Sequence, residues 1–343
     1  MRGARVVQSN SQQLLCKTGR PLPPIRMRRA ACCAAWHLPA APFPLFSGRI
    51  TYARVSERRN MIYRTGKEWQ AARNKRVALF GMSGLGKTFL SSMLRETGDW
   101  FHYSVDYRIG TRYMGERITD NFKRHAMQVP LLRELLMSDS VYIASNITFE
   151  NLAPLSTYLG KPGDPAQGGL DFDEYMKRQN QHRAAEIAAM LDTGHFIERA
   201  QDIYGYGHFV CDTSGSVCEV VDPEDADDPV LTDMESRMLL VWIKGSEEHV
   251  AELVRRFDRA PKPMYYQPEF LHDAWREYAA EHAGPVNPDA FIRWTYARAL
   301  AHRQPRYAAM ARRGITVTAE EVAAVRNASD FIQLVAHAID RKE

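Results

Sequence analysis

Cysteine is scarce in this sequence, and long apolar runs are missing from it. Five of the 343 residues are cysteines, and three of these fall within the first 60 positions. They form neither the spaced pairs of a metal site nor a disulfide framework, so we expect a reducing compartment or unpaired thiols. Because no apolar run reaches the roughly eighteen residues of a membrane-spanning helix, we expect no membrane partner and a cytoplasmic location.

Acidic residues are nearly absent from residues 1–60. That segment contains ten Arg and one Lys against one acid, Glu57, whereas the remaining 283 residues contain 34 basic and 40 acidic side chains. Frequent proline and the lack of apolar periodicity predict a disordered Arg-rich tail. It is either an upstream extension before a start at Met61 or a targeting segment, which would direct the chain to an organelle matrix. Residues 61–343 have a net charge of −6, so we expect no nucleic-acid partner.

One glycine-rich stretch matches the pattern G-x-x-x-x-G-K-[ST] at every fixed position: Gly81, Met82, Ser83, Gly84, Leu85, Gly86, Lys87 and Thr88. Strand-forming residues precede it, and apolar residues at helical spacing follow it. Successive backbone N–H groups of such a loop can surround a phosphate, assisted by the helix N-terminus. A chance glycine turn is the alternative, and the correct flanks disfavour it. We therefore predict a P-loop that binds a nucleoside triphosphate, with Lys87 on the outer phosphates and Thr88 on Mg²⁺.

Strand-like apolar runs alternate with helical patterns from Met61 onward. The clearest strands after the P-loop are Phe101–Val105, His208–Asp212 and Arg237–Ile243, and Ile315–Val317 is a candidate for the last strand. This alternation predicts an α/β fold, a three-layer α/β/α P-loop NTPase with a parallel sheet. Ligands of such sheets lie at the carboxyl ends of the strands, where the P-loop, Asp106 and Asp212 all fall.

Two carboxylates are candidates for catalysis. Asp212 ends an apolar strand and could hold Mg²⁺ opposite Thr88, or it could simply cap the next turn. Asp106 ends the strand after the P-loop helix and could accept the proton of an attacking hydroxyl. Its alternative is a loop carboxylate paired with Arg108 or Arg112.

Two groups of arginines are candidates for binding anions. Arg108 and Arg112 could bind an anionic phosphoryl acceptor, or could be solvated surface charges. Arg255, Arg256 and Arg259 end a predicted helix over residues 247–259, where the helix dipole alone favours cations. On a mobile lid they would instead cover the phosphates and stabilise the transferring group, which makes Arg255 and Arg259 catalytic candidates. Lys161 and His182 stand alone and are assigned no role.

The order of these parts resembles the P-loop small-molecule kinases of the shikimate kinase and nucleoside monophosphate kinase type. The resemblance rests on GMSGLGKT, Asp106 with the Arg108 loop, HFVCDTSGS, and the arginine-ended helix of residues 247–259. It implies a kinase-like fold, an acceptor held near Asp106, and a lid arm ending at Arg259. Residues 61–343 also look like a bacterial group of P-loop proteins called only "ATPase" or "ATP-binding protein".

The chain departs from that kinase pattern in two places. We predict that residues 107–206 form a large helical insertion that would bind the acceptor. We predict that residues 255–312 form a lid followed by additional helices. No N-K-x-D or T-K-x-D motif is present to read guanine, and no LSGGQ-like motif indicates a transporter ATPase. We therefore predict an ATP-dependent, Mg²⁺-using phosphotransferase for a small-molecule substrate. The alternative is an ATPase or ATP-sensing module without an acceptor. The sequence specifies no oligomeric state.

Overall fold

Five parallel strands form one central sheet in the computed structural model, which describes residues 61–342. Along the sheet their order is β2-β3-β1-β4-β5, and each neighbouring pair is parallel. The predicted parallel α/β fold is confirmed, and the predicted tail, residues 1–60, lies outside the described residues. The strands are Arg76–Phe80 (β1), Trp100–Ser104 (β2), His208–Asp212 (β3), Leu239–Lys244 (β4) and Ile315–Thr318 (β5).

Helices occupy most of the remaining described chain. In order they are Gly66–Ala71 (α1), Lys87–Glu96 (α2), Val105–Arg108 (α3), Gly115–Ala126 (α4), Pro130–Met137 (α5), Ala153–Leu159 (α6), Phe172–Leu191 (α7), Thr193–Asp202 (α8), Val217–Val220 (α9), Pro229–Arg237 (α10), Glu247–Arg259 (α11), Pro268–Glu281 (α12), Pro288–Ala311 (α13), Ala319–Ala323 (α14) and Ala328–Asp340 (α15). A π-helical turn at Ile109–Tyr113 joins α3 to α4.

The strand carrying the P-loop lies at the centre of the sheet. β1 pairs with β3 on one side and with β4 on the other. Val77 to Phe80 and Leu239 to Ile243 are buried, as expected for strands covered by helices on both faces. In the β1–β3 register, Leu79 aligns with Asp212. The sheet therefore brings the carboxyl end of β3 beside the start of the P-loop.

A helical insertion separates β2 from β3, as predicted. Its longest member, α7, has 20 residues. The Tyr103 hydroxyl of β2 donates to the carbonyl of Ala189 in α7 at 2.6 Å. This bond ties the insertion to the edge of the sheet at the end where the P-loop lies. The insertion boundaries at 107 and 206, like the 255–312 lid region, stay predictions.

The two ends of the described chain pack together. The backbone N–H of Gly66 in α1 donates to Asp340 of α15 at 2.6 Å. The indole N–H of the fully buried Trp69 donates to the Ile332 carbonyl at 2.9 Å. The predicted last strand is confirmed as β5, and α15 is the last helix of the described residues. The first and last helices thus share one interface beside the sheet.

Helix α5 differs from the other helices of the insertion because none of its residues is buried. Leu131 and Met137 are 65% and 72% exposed. The apolar side chains of this helix therefore do not enter the core. No helix within residues 61–342 combines the length and apolar character needed to cross a membrane.

Candidate functional site

The P-loop runs from β1 to α2 at the carboxyl end of the sheet. Its Gly81 leaves β1 with a φ of 138°, and Gly86 precedes α2 with a φ of 96°. Residues other than glycine rarely adopt such φ values. A Cβ on Gly81 would also lie 2.5 Å from the carbonyl oxygen of Ile243 in β4. The loop path therefore requires glycine where the motif has it.

Lys87, the first residue of α2, is folded back over its own loop. Its Nζ donates to the carbonyls of Gly81 at 2.8 Å and Met82 at 3.0 Å. Only 6% of the residue is exposed. Burial lowers the pKa of Lys87, and the charges of Asp212 and Asp106 partly oppose this. The ammonium group therefore lies within electrostatic range of both predicted catalytic carboxylates.

Thr88 and Asp212 meet across 124 residues of sequence. The Thr88 hydroxyl donates to Oδ2 of Asp212 at 2.7 Å. A hydroxyl and a carboxylate oxygen are ligands that Mg²⁺ takes together with substrate phosphates. Within residues 61–342, no group of three or more His, Cys, Asp or Glu could hold a metal. The pair fits a metal that is shared with a phosphate rather than one enclosed by protein.

Asp106 does not end a strand, which corrects the sequence interpretation. β2 stops at Ser104, whose hydroxyl accepts from the Tyr107 N–H at 3.3 Å and so begins the short helix α3. Burial and the negative charge of Asp212 raise the pKa of Asp106 to about 6, against the opposing charge of Lys87. Asp106 thus lies within electrostatic range of Lys87 and Asp212.

The turn after β3 reaches a carboxyl group that sequence reasoning missed. Ser214 and Ser216 both donate to Glu186 of α7, the latter at 2.8 Å. Glu186 is fully buried. Burial raises its pKa to about 8, although the serine hydrogen bonds act in the opposite direction. This carboxyl group is therefore mostly protonated at neutral pH.

His182, one turn before Glu186, belongs to the same cluster. Its Nδ1 lies 3.6 Å from Oε2 of Glu186, and its ring stacks on Tyr265 with centroids 5.0 Å apart. Burial lowers the pKa of His182 to about 4, so the ring is neutral. Spacing of four residues on a helix was the one signal that could have linked His182 to Glu186.

Helix α13 holds the other side of the turn. Arg303 donates to the Gly215 carbonyl at 3.2 Å and to Glu219 at 2.6 Å. The Tyr307 hydroxyl also donates to the Gly215 carbonyl, at 2.5 Å. A Cβ on Gly215 would overlap the side chain of Ser83 in the P-loop. The turn is thus packed between α7, α13 and the P-loop.

The predicted acceptor arginines have different surroundings. Arg108 donates through Nε and Nη2 to Asp192, both at 2.7 Å, and its guanidinium lies over the Phe196 ring. Arg112 is exposed in the π-helical turn. Arg108 thus pairs with Asp192 and not with Asp106, so the Arg108 half of the alternative suggested for Asp106 is wrong. The acceptor role of both arginines stays a prediction.

The predicted lid arginines lie on the exposed face of α11. Arg255 and Arg256 both pair with Glu252, at 2.8 and 3.2 Å, and Arg259 is exposed. On the inner face of the same helix, the Leu253 side chain lies 3.2 Å from where a Cβ on Gly84 would be. α11 therefore packs beside the P-loop while its arginines point elsewhere. Their catalytic role stays a prediction.

Two further features were not found from the sequence. His102 of β2 lies 3.8 Å from Asp212 and stacks on Phe149, with centroids 4.8 Å apart. A cavity of about 850 Å³ is lined by Glu150, the residue after Phe149, and by Lys161 and Lys262. Lys161 pairs with Asp289 at 2.5 Å. The cavity rim is thus one residue from the aromatic group that covers His102.

Comparison with known proteins gives a distant structural similarity. No protein-family model and no curated protein matches the chain. Among solved structures, the 1.7 Å crystal structure of shikimate kinase from Bacteroides thetaiotaomicron is 14% identical, with a TM-score of 0.31 over 78% of this chain and 96% of that chain. A TM-score this low transfers no residue role. The sheet order, with the P-loop directly after the central strand β1, shows a parallel α/β fold.

Proposed function

We propose that this chain is an ATP-dependent phosphotransferase that uses Mg²⁺ and acts on a small anionic or hydroxylated metabolite. The observation that supports this best is the 2.7 Å hydrogen bond between Thr88 and Asp212. It joins the hydroxyl of the P-loop to the carboxylate of the neighbouring strand, beside the buried Lys87. This combination of groups is the one that P-loop enzymes use for phosphoryl transfer.

Each group has a defined part in that reaction. Thr88 and Asp212 would hold Mg²⁺, which when bound neutralises phosphate charge, and Lys87 would contact the outer phosphates. The acceptor oxygen forms a bond to the γ-phosphorus as the bond to the β-phosphate oxygen breaks, and ADP leaves. Asp106 would take the proton of the acceptor hydroxyl. Its pKa of about 6 leaves most of it ionised at pH 7.

An ATPase or ATP sensor without an acceptor is the second candidate. It is favoured by the pairing of Arg108 with Asp192 and of Arg255 with Glu252. Cations that are already paired within the chain are less ready to bind an anionic substrate. In this case ATP would be bound or hydrolysed, and the insertion would report the bound state instead of holding a metabolite.

The two candidates differ in their response to metabolites. A kinase protects the γ-phosphate from water, so ADP release from ATP alone should be slow and one class of metabolite should raise it sharply. We expect Asp106→Asn to lower the stimulated rate of ADP release by a factor of at least about 10², which is the usual contribution of a general base. The exposed α12 acid Asp273 offers a matched control, Asp273→Asn, which should behave as wild type.

The opposite result is equally clear. If no member of a panel of hydroxylated and anionic metabolites stimulates ADP release, and Asp106→Asn matches wild type, the phosphotransferase proposal is wrong.

A further inference from the structure

Glu186 connects two parts of the molecule that are distant in sequence. It lies in α7, in the helical insertion, and accepts hydrogen bonds from Ser214 and Ser216, which are 28 and 30 residues further along the chain. Ser214 lies two residues after Asp212, and Ser216 lies four residues after it. The carboxyl group of one helix therefore holds both hydroxyls of the turn that begins at the candidate Mg²⁺ ligand.

The turn is in direct contact with the P-loop and with β1. Gly215, between the two serines, packs against Ser83 so closely that a Cβ would overlap its side chain. The Thr213 hydroxyl donates to the Leu79 carbonyl of β1 at 2.9 Å. A change in the phosphate site would therefore be transmitted to Ser214 and Ser216, and from them to Glu186.

Beyond Glu186, α7 is bound to the segment that follows α11. The Gln179 side chain donates to the Met264 carbonyl at 3.1 Å and accepts from the Tyr266 N–H at 2.9 Å. Tyr265 of the same segment stacks on His182 and accepts a bond from Arg303 through its carbonyl, at 2.8 Å. α7 thus joins the turn to the chain between α11 and α12 through polar contacts that fix one arrangement.

We propose that Glu186 is a positioning residue through which nucleotide bound at the P-loop orders α7 and the Met264–Tyr266 segment. This inference rests on the nucleotide binding proposed above. An apolar residue would fill the same space without fixing the two serines, whereas the carboxyl group makes the position of the turn depend on α7. Bound nucleotide would then prepare the insertion for an acceptor.

Hydrogen exchange with and without a non-hydrolysable ATP analogue and Mg²⁺ tests this coupling. In wild type we expect at least severalfold slower exchange both in the P-loop and in α7 with residues 264–266. Glu186→Gln keeps a donor and an acceptor and should preserve both effects. Glu186→Ala should keep the slowing in the P-loop and lose it in α7.

A second disrupting variant guards against a folding defect in Glu186→Ala. Ser214→Ala combined with Ser216→Ala removes the same bonds from the other side with little change in volume, and should also lose the slowing in α7. Asp173→Asn, at an exposed acid in the first turn of α7, is the matched control and should behave as wild type. Slowing in α7 that persists in both disrupting variants overturns the coupling, as does its absence in wild type with a protected P-loop. A P-loop that the analogue does not protect overturns the proposed nucleotide binding as well.

Discussion

Single residues at the centre of this molecule combine burial with charge. Lys87 is buried but retains two carbonyl partners and lies near two carboxylates. Glu186 is buried and avoids ionisation instead. The difference arises from the neighbours. Lys87 has opposite charges within range, whereas Glu186 has two serine hydroxyls, the neutral ring of His182 and the like charges of Asp106 and Glu219. Each residue should therefore respond in its own way to substitution.

Lys87→Ala should abolish turnover and weaken ATP binding, because it removes the charge on the outer phosphates and leaves the loop glycines in place. The chain should remain folded, since Lys87 bonds only to carbonyls of its own loop. Calorimetric titration with Mg²⁺ and ATP, with a melting curve as control, measures both effects. Lys75 precedes β1, at the end of the strand opposite to the P-loop, and donates to the carbonyls of Gln70 and Ala72. Lys75→Ala should leave the ATP affinity unchanged. Full turnover in Lys87→Ala would contradict the P-loop assignment.

Glu186 should make the folded state less stable as the pH rises. Its folded pKa of about 8 lies above the ordinary 4.5, so between these values only the unfolded chain releases the proton, and stability falls through the window. Glu186→Gln has no such proton, and its melting temperature should fall less than that of wild type between pH 6.5 and 8. The pKa of Asp106 is raised to about 6 and that of His182 is lowered to about 4. The pH ranges in which these two groups change the stability therefore lie below pH 6.5. Asp106→Asn should therefore retain the wild-type slope, and an equal slope in Glu186→Gln would contradict the assignment.

Sequence reasoning found the residues that belong to a local motif or end a predicted strand, such as Thr88 and Asp212. It missed Glu186 and Arg303, because their partners lie 28 to 88 residues away. Nothing in the local pattern of α7 or α13 distinguishes these side chains from surface charges. It also placed Asp106 at a strand end, since a capping serine at residue 104 can begin a helix as readily as it continues a strand.

At the scale of elements, α13 packs against the turn that follows β3. It has 24 residues, and near its C-terminal end Arg303 and Tyr307 both reach Gly215. Arg303 also forms a buried ion pair with Glu219 of α9. The sequence predicted additional helices here, but the contact of this helix with the turn depends on the packed fold. The buried pair therefore links α13, α9 and the turn.

Breaking that pair from one side should be more harmful than replacing both partners. Arg303→Met leaves Glu219 buried without its cation and should cost about 3–5 kcal/mol. Arg303→Met combined with Glu219→Leu removes both charges and should recover much of that loss. Denaturant unfolding of the single and double variants measures the difference. Equal destabilisation by the two would show that Arg303 acts through its bonds to the Gly215 and Tyr265 carbonyls.

At the scale of the whole molecule, residues 61–342 contain the five-stranded sheet and every predicted site residue. A chain beginning at Met61 should therefore melt within about a degree of the full chain and bind ATP equally well. A chain beginning at Ala72 should be destabilised, because it loses α1 and the buried Trp69 that packs on α15. Scanning calorimetry of the three chains gives the comparison. A drop of several degrees on removing residues 1–60 alone would show that they contribute to the fold.

The position of β1 in the centre of the sheet has a consequence for synthesis on the ribosome. β1 precedes every other strand, yet both of its neighbours, β3 and β4, follow the whole insertion. Thr213, which bonds to Leu79, is 134 residues later in the chain. At about 5–20 residues per second, that delay is on the order of ten seconds. Until β3 and β4 have been synthesised, Val77 to Phe80 have neither of their partner strands, and we therefore expect this apolar segment to be prone to aggregation during synthesis.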